Sequence, residues 1–356
     1  MRTVHPRPNP IIAALYTLRD LEVDAVVIHG PAGCGFMASR MIEEAGIRVI
    51  TSSIRERDLI FGASEPLADT IRKAEDLFDP ETIAVIGTCA SMIIGEDMNA
   101  AVKRSGVKCR TFTVDCHGCM GDNTSGAIKA IEAAGRASMI SGDEVRRQIS
   151  ILTEASRVER DAGTASREYV MPSRGPTKLK AALRIKEVLD GGGKVAVAMI
   201  AKKELAYRFA DMFRAVDEAR TKLGGETFFI GNLDAGAGLP RIRRYATDIT
   251  GELGSLGIDV RTEGGLDEYA FAGRRMTAGI KEFGPDLLVL AGMPHFYGEM
   301  SGQDILITDQ PRQFANYISQ GYGYAVCETP LHSEVMNTRS IIPLETGDTL
   351  REVCGL

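Results

Sequence analysis

The chain has 356 residues, 44% of them hydrophobic and 25% charged, with a net charge of -6. These proportions are those of an ordinary globular protein with enough length for two or three domains. The acidic balance argues against a general nucleic-acid binder, which carries a basic excess. No run approaches the ~20 apolar residues that cross a bilayer, and the opening MRTVHPRPNP lacks the apolar core of a secretory signal. The expectation is a cytoplasmic protein with neither nucleic acid nor membrane among its partners.

In chain order, Asp24–Gly30 (DAVVIHG) reads as a buried strand, Phe36–Gly46 as a helix and Ile47–Thr51 as a short strand. Pro66–Phe78 is an amphipathic helix with proline at its entrance, where the missing N–H costs nothing. Thr82–Thr88 is a second buried strand, Glu96–Ser105 a helix, Val107–Asp115 a third strand and Thr124–Gly135 another helix. From Arg136 to Lys178 the chain is charged and weakly apolar, a connecting region with helix around Glu144–Val158. Lys178–Asp190 is a helix stopped by Gly191–Gly193. Strands follow at Lys194–Ile200, Thr227–Ile230, Ile258–Arg261, Asp286–Leu290 and Asp304–Ile307. Alternating strands and helices indicate an α/β fold with parallel sheets. The expected domains are 1–175, 176–284 and 285–356, with the first boundary near Ser173–Lys178 and the second near Gly284.

Seven cysteines are spread from Cys34 to Cys354. In a reducing compartment such residues are seldom structural disulfides, so local context must separate buried thiols from metal ligands and nucleophiles. Cys34, in HGPAGCG, and Cys89, in GTCASMIIGED, each follow a buried strand and precede a helix. They fall at the carboxyl edge of the sheet, where open α/β sheets bind ligands. Gly30, Gly33 and Gly35 allow close backbone approach to a cofactor. A phosphate loop is excluded, because Phe36 and Met37 follow Gly35 where lysine and serine or threonine are needed. The bland alternative for either cysteine is a small buried residue.

Other candidates carry weaker signals. Cys116 and Cys119 form C-x-x-C around His117, the spacing of a redox pair or half a metal site, with lining of a substrate cavity as the other reading. Cys109 and Cys327 read as buried strand residues, and Cys354 as incidental. Glu96 and Asp97 suit the first turn of a helix. His295, in GMPHFYGEM, reads as a satisfied surface histidine, with a pocket-facing role as the alternative.

HGPAGC at His29–Cys34, ERDLIFGASEPL at Glu56–Leu67 and IGTCASMIIGEDMNAAVK at Ile86–Lys103 occur in this order, followed more loosely by CHGCMG at Cys116–Gly121. With these motifs the segment from His29 to Gly126 resembles the nitrogenase component-1 family. That family holds the nitrogenase α and β subunits and their relatives in chlorophyll and nickel-tetrapyrrole synthesis. The resemblance implies repeated Rossmann-like parallel-sheet domains, and Cys34 and Cys89 as ligands of an iron–sulfur cluster. Fuller members carry a third cysteine upstream of the HGP motif, where this chain has HPRPNPIIAAL. Two thiolates per chain leave a 4Fe–4S cluster incomplete, so a homodimer with one bridging cluster is expected, His5 being the alternative extra ligand. No match to the nitrogenase α subunit's molybdenum-cofactor ligands is found.

In length and pattern the nearest branch is that of nickel-tetrapyrrole synthesis, on the route to coenzyme F-430 in methanogenic archaea. It implies a reductive cyclase with a nickel tetrapyrrole as substrate. Electrons would come from a separate P-loop iron protein, which binds and hydrolyses the MgATP. A non-catalytic cofactor-assembly scaffold and a reductase for another tetrapyrrole are the alternatives.

Overall fold

The computed structural model describes residues 9–34, 36–161, 176–328 and 335–356. His5, Gly35 and residues 173–175 of the expected boundary lie outside them. The chain divides into two units, Met1–Thr153 and Glu154–Leu356.

The first unit is built on four strands: β1 (Ala25–His29), β2 (Arg48–Thr51), β3 (Thr82–Gly87) and β4 (Arg110–Val114). They lie in the order β2-β1-β3-β4, and every pairing is parallel. β1 and β3 are continuous runs such as AVVIH and are buried almost throughout, as parallel strands covered on both faces must be. Helices α1 (Pro10–Asp20), α2 (Phe36–Glu44), α3 (Glu56–Phe61), α4 (Ser64–Phe78), α5 (Cys89–Ile93), α6 (Met98–Ser105) and α7 (Asn123–Arg136) alternate with them. Leu67, Ile71 and Ala74 of α4 pack with Ala101 against Val27, Ile83 and Val85 to form one core.

Local chemistry sets the helix ends. Asn9 caps α1 by accepting from the Ile12 N–H at 3.0 Å, with Pro10 in the first turn. Asp97 accepts from the Ala100 N–H at 3.0 Å, so it caps α6 instead of lying inside it. α4 starts at Ser64, two residues before the proline expected at its entrance.

A helix α8 (Gly142–Asp161) contains the division between the units. The boundary expected near Ser173–Lys178 lies some twenty residues later. Ala155 and, more partially, Val158 of α8 pack into the second unit's core, which draws the end of the helix into that unit. The second unit also holds α9 (Thr177–Asp190), α10 (Ala206–Phe209), α11 (Asp211–Leu223), α12 (Pro240–Ser255), α13 (Tyr269–Phe283), α14 (Pro311–Ser319) and α15 (Glu345–Cys354). Its strands are β5 (Lys194–Ile200), β6 (Glu226–Gly231), β7 (Arg261–Thr262), β8 (Leu287–Gly292), β9 (Ile305–Thr308) and β10 (Ala325–Cys327). They form one parallel sheet in the order β10-β9-β8-β5-β6-β7. β8 pairs directly with β5, from Val195↔Leu287 to Ile200↔Gly292, so the split expected near Gly284 runs through a continuous sheet. The strand expected at Ile258–Arg261 shrinks to two residues, both exposed, at the sheet's margin.

Candidate functional site

In the first unit, the chain steps from β1 to β2 on one side and then crosses from β2 back past β1 to β3 on the other. The carboxyl ends of β1 and β3 therefore form a topological switch point, the place where open α/β sheets make a crevice. The register pairs His29 with Gly87, which brings the two strands to the same level. Cys34 follows five residues beyond His29, in a turn closed by its N–H to the Pro31 carbonyl at 2.9 Å. Cys89 follows two residues beyond Gly87, at the start of α5.

These loops are drawn together by the absence of one side chain. A Cβ on Gly30 would lie 2.4 Å from Thr88 Oγ1 and 2.5 Å from its methyl carbon. Thr88 Oγ1 instead donates to the His29 carbonyl at 2.9 Å, a bond between residues 59 apart in sequence. Ser91 Oγ accepts from the Thr88 N–H at 2.8 Å, which fixes the turn that presents Cys89. His29 Nδ1 meets Ser52 Oγ at 2.9 Å, and its Nε2 is buried without a partner. Burial lowers the His29 pKa to about 4, so the ring is neutral.

The sulfur atoms differ in character. Burial pushes the Cys89 thiol up, but hydrogen bonds from the Cys119 thiol and from the backbone N–H groups of Cys119, Gly118 and Cys89 itself outweigh it. The net direction is down. The Cys89 and Cys119 sulfurs are 3.4 Å apart. Around this centre the other thiols shift the opposite way. Cys34 is raised by burial and by the Cys89 charge. Cys119 is raised by its hydrogen bond to Cys89 and by that residue's charge. Cys116 is pushed up to about 11, by burial first and then by Asp115 and Cys89. Of the four thiols, Cys89 is the one whose ionisation these contacts ease.

A cavity of about 660 Å³ opens beside Cys34, lined also by Ala32, Arg40, Glu43 and Thr51. The donor set fits an iron–sulfur group in kind, because thiolates are its ligands and N–H groups aimed at sulfur stabilise them. In number it falls short of four: among the described residues no three His, Cys, Asp or Glu side chains gather so that they could hold a metal ion.

The remaining candidates separate. Cys119, which C-x-x-C spacing pairs with Cys116, has its sulfur contact with Cys89 instead. The signal that could have found it is lateral: β3 and β4 are neighbours, with Ile86 opposite Val114, so their exit loops meet. Cys327 is buried at the end of β10, as expected; Cys109 is half-buried, just before β4. Glu96 Oε2 accepts from the Ala63 N–H at 2.7 Å and so ties the turn after α5 to the exit of α3, a structural task. His295 is not a satisfied surface residue. Both its ring nitrogens are buried without partners, and burial lowers its pKa to about 4.

A family model described as nitrogenase component 1 type oxidoreductase matches residues 9–169, the stretch holding both cysteine loops. Three relatives, each named component CfbD of the Ni-sirohydrochlorin a,c-diamide reductive cyclase complex, align along nearly the whole chain. That of Methanothermobacter thermautotrophicus is 42% identical over 98% of this chain and 98% of its own. That of Methanosarcina acetivorans is 40% identical, covering 98% and 97%. That of Methanocaldococcus jannaschii is 39% identical, covering 97% and 98%. The chain belongs to the nitrogenase component 1 type family. It is a nitrogenase-like oxidoreductase, on an α/β fold of two parallel sheets. Among its described residues no helix is long and apolar enough to cross a membrane.

Proposed function

We propose that the chain is the catalytic subunit of an ATP-dependent reductive cyclase that reduces and cyclises Ni-sirohydrochlorin a,c-diamide to the seco precursor of coenzyme F-430. The observation that carries this reading is 42% identity over almost the full length to a component of that complex. The nickel arrives with the substrate, so the chain need not ligate it.

Cys34 and Cys89 hold a 4Fe–4S cluster, and two copies of the chain supply the four thiolates that one copy lacks. Such a cluster supplies low-potential single electrons when bound. The chain's own work is to place and tune the ligands. Thr88 and Gly30 set the spacing of the two loops. Gly118 and Cys119 direct hydrogen bonds at Cys89, and bonds of that kind set the potential of a cluster. MgATP is bound and hydrolysed by a separate P-loop iron protein, since no phosphate loop is available here: Phe36 and Met37 stand where its lysine and hydroxyl would be.

A surface next to Cys89 supports the two-chain arrangement. Leu59, Ile60 and Phe61 of α3 and Met92 and Ile93 of α5 are all exposed, and Glu96 ties the exits of these helices together. Exposed apolar side chains on two tethered helices suit an interaction site.

The test is anaerobic purification with iron and sulfide counted, followed by turnover with iron protein, MgATP and the nickel substrate. Iron near four per two chains with turnover supports the reading. Cys34→Ser or Cys89→Ser should abolish the brown colour and the paramagnetic signal. Retention of both would remove the cluster assignment, and a loaded protein without turnover would favour an assembly scaffold.

A further inference from the structure

Cys119 is not among the assigned cluster ligands, yet its sulfur lies 3.4 Å from that of Cys89. The two residues are 30 apart in sequence and meet because they leave adjacent strands, β3 and β4. A disulfide requires about 2.0 Å between sulfurs, so the pair is on the order of 1.4 Å from bonding distance. Beside Cys119, Gly118 packs against Cys89 without a side chain, an added Cβ there lying 3.7 Å from its sulfur, and Gly121 turns the chain with a φ of +60°. Cys119 is exposed, whereas Cys116 is 2% exposed beneath the end of β3, its carbonyl packed on Gly87. Access and contact therefore single out a Cys89–Cys119 pair over the Cys116–Cys119 pair that the C-x-x-C spacing suggests.

We propose that Cys89 and Cys119 close a reversible disulfide in the cluster-free chain, guarding the sulfur of Cys89 until a cluster is delivered. The guarding role rests on the reading of Cys89 as a cluster ligand; the bond itself does not. The oxidant is a low-molecular-weight disulfide of the glutathione kind. One sulfur of the pair attacks it, forming a mixed disulfide and releasing one small thiol. The other sulfur then attacks the first, and the second small thiol leaves. One protein S–S bond forms and one small-molecule S–S bond breaks. Two electrons pass from the cysteine pair to the oxidant, and the two cysteine protons end on the released thiols. A dithiol reverses the sequence. The alternative fate of an uncovered sulfur is oxidation to sulfinic acid, which is not generally recoverable. A cluster bound through Cys89 withdraws that sulfur from the exchange.

The experiment compares the full-length chain freed of iron by a chelator with the iron-loaded chain. Each is incubated anaerobically with oxidised glutathione, alkylated and mapped by mass spectrometry. The cluster-free chain should lose two of its seven titratable thiols and yield a peptide linking Cys89 to Cys119. Dithiothreitol should restore both thiols. Cys116→Ser should leave the link in place, and Cys119→Ser should abolish it. A Cys116–Cys119 link, or a glutathione adduct that stays on Cys119, overturns the proposal. Linking of the iron-loaded chain at the same rate would uphold the pair but remove Cys89 from the ligand set, so the two ideas fail separately.

Discussion

Asp211 is fully buried at the start of α11, and three hydrogen bonds converge on its carboxylate. The Arg351 guanidinium donates at 2.7 and 3.0 Å, and the Leu344 N–H at 2.8 Å. Removing Asp211 leaves Arg351 its ion pairs with Glu218 and Asp348, but takes the acceptor from the buried Leu344 N–H and two hydrogen bonds from the guanidinium. Asp211→Ala should therefore lower the unfolding free energy by about 1–3 kcal/mol in urea titration. A loss below about 0.5 kcal/mol would mean that Glu218 and Asp348 take over the whole of Arg351. His295 gives a pH dependence. An unfolded imidazole takes its proton near 6.5, whereas burial delays this to about 4 in the folded chain. Between these values the unfolded chain binds more protons, so stability falls as pH drops from 6.5 towards 4 and is untouched by this group above 6.5. His29, also lowered to about 4, acts in the same direction. Urea titrations at pH 7 and pH 5 should show the decline, and His295→Asn should flatten it. An unchanged slope in the variant would place the effect elsewhere. At this scale the sequence made the placement of Cys34 and Cys89 beyond strand ends legible, because a buried run followed by a turn marks the carboxyl end of a strand. The Cys89–Cys119 contact was not legible. It depends on which strands are neighbours, and local spacing carries no such information. The missing partners of His295 were hidden for the same reason.

Two glycines show how element positions depend on close approach. A Cβ on Gly126 of α7 would lie 1.9 Å from the Pro10 carbonyl oxygen, so α1 and α7 cross where only a glycine fits. The obstacle is backbone and cannot rotate away. Gly126→Ala should cost about 1–3 kcal/mol of stability, seen as a lower urea midpoint. At Gly30 the obstacle is the side chain of Thr88. Gly30→Ala should displace Thr88, break its bond to the His29 carbonyl and disturb the spacing of the two cysteine loops. Reconstituted iron should fall well below the wild-type level, and the double variant Gly30→Ala with Thr88→Ser should recover part of it. Equal iron in Gly30→Ala and wild type would show that the loops adjust without this contact. Helices and strands with long apolar periods, such as Lys194–Ile200, were readable from the sequence almost to the residue. The short helix Glu56–Phe61 was not. It buries none of its residues, so it has no amphipathic period to betray it.

Over the whole chain, the α/β class followed from alternation alone, but the division into units did not. The charged stretch from Arg136 resembles a linker in composition, while packing of Ala155 and Val158 decides where the first unit ends. Likewise no local signal says that β8 will pair with β5 and continue one sheet. Assembly is the last property at this scale. Ile60 and Phe61 are 75% and 80% exposed, on a helix with no buried face of its own. Burying such side chains in a partner stabilises an interface by about 1.5–3 kcal/mol each. A second copy of the chain is the occupant that would also complete the thiolate set beside Cys89. If the wild type sediments as two chains, the double variant Ile60→Asp with Phe61→Asp should sediment as one under the same conditions, and its iron content should fall in parallel. Its circular dichroism should match that of the wild type, because neither side chain contributes to the chain's own core. A variant that remains two-chain with full iron would move the dimer contact off this surface. The patch would then fall to the iron protein, and the same variant should lose iron-protein-dependent MgATP hydrolysis.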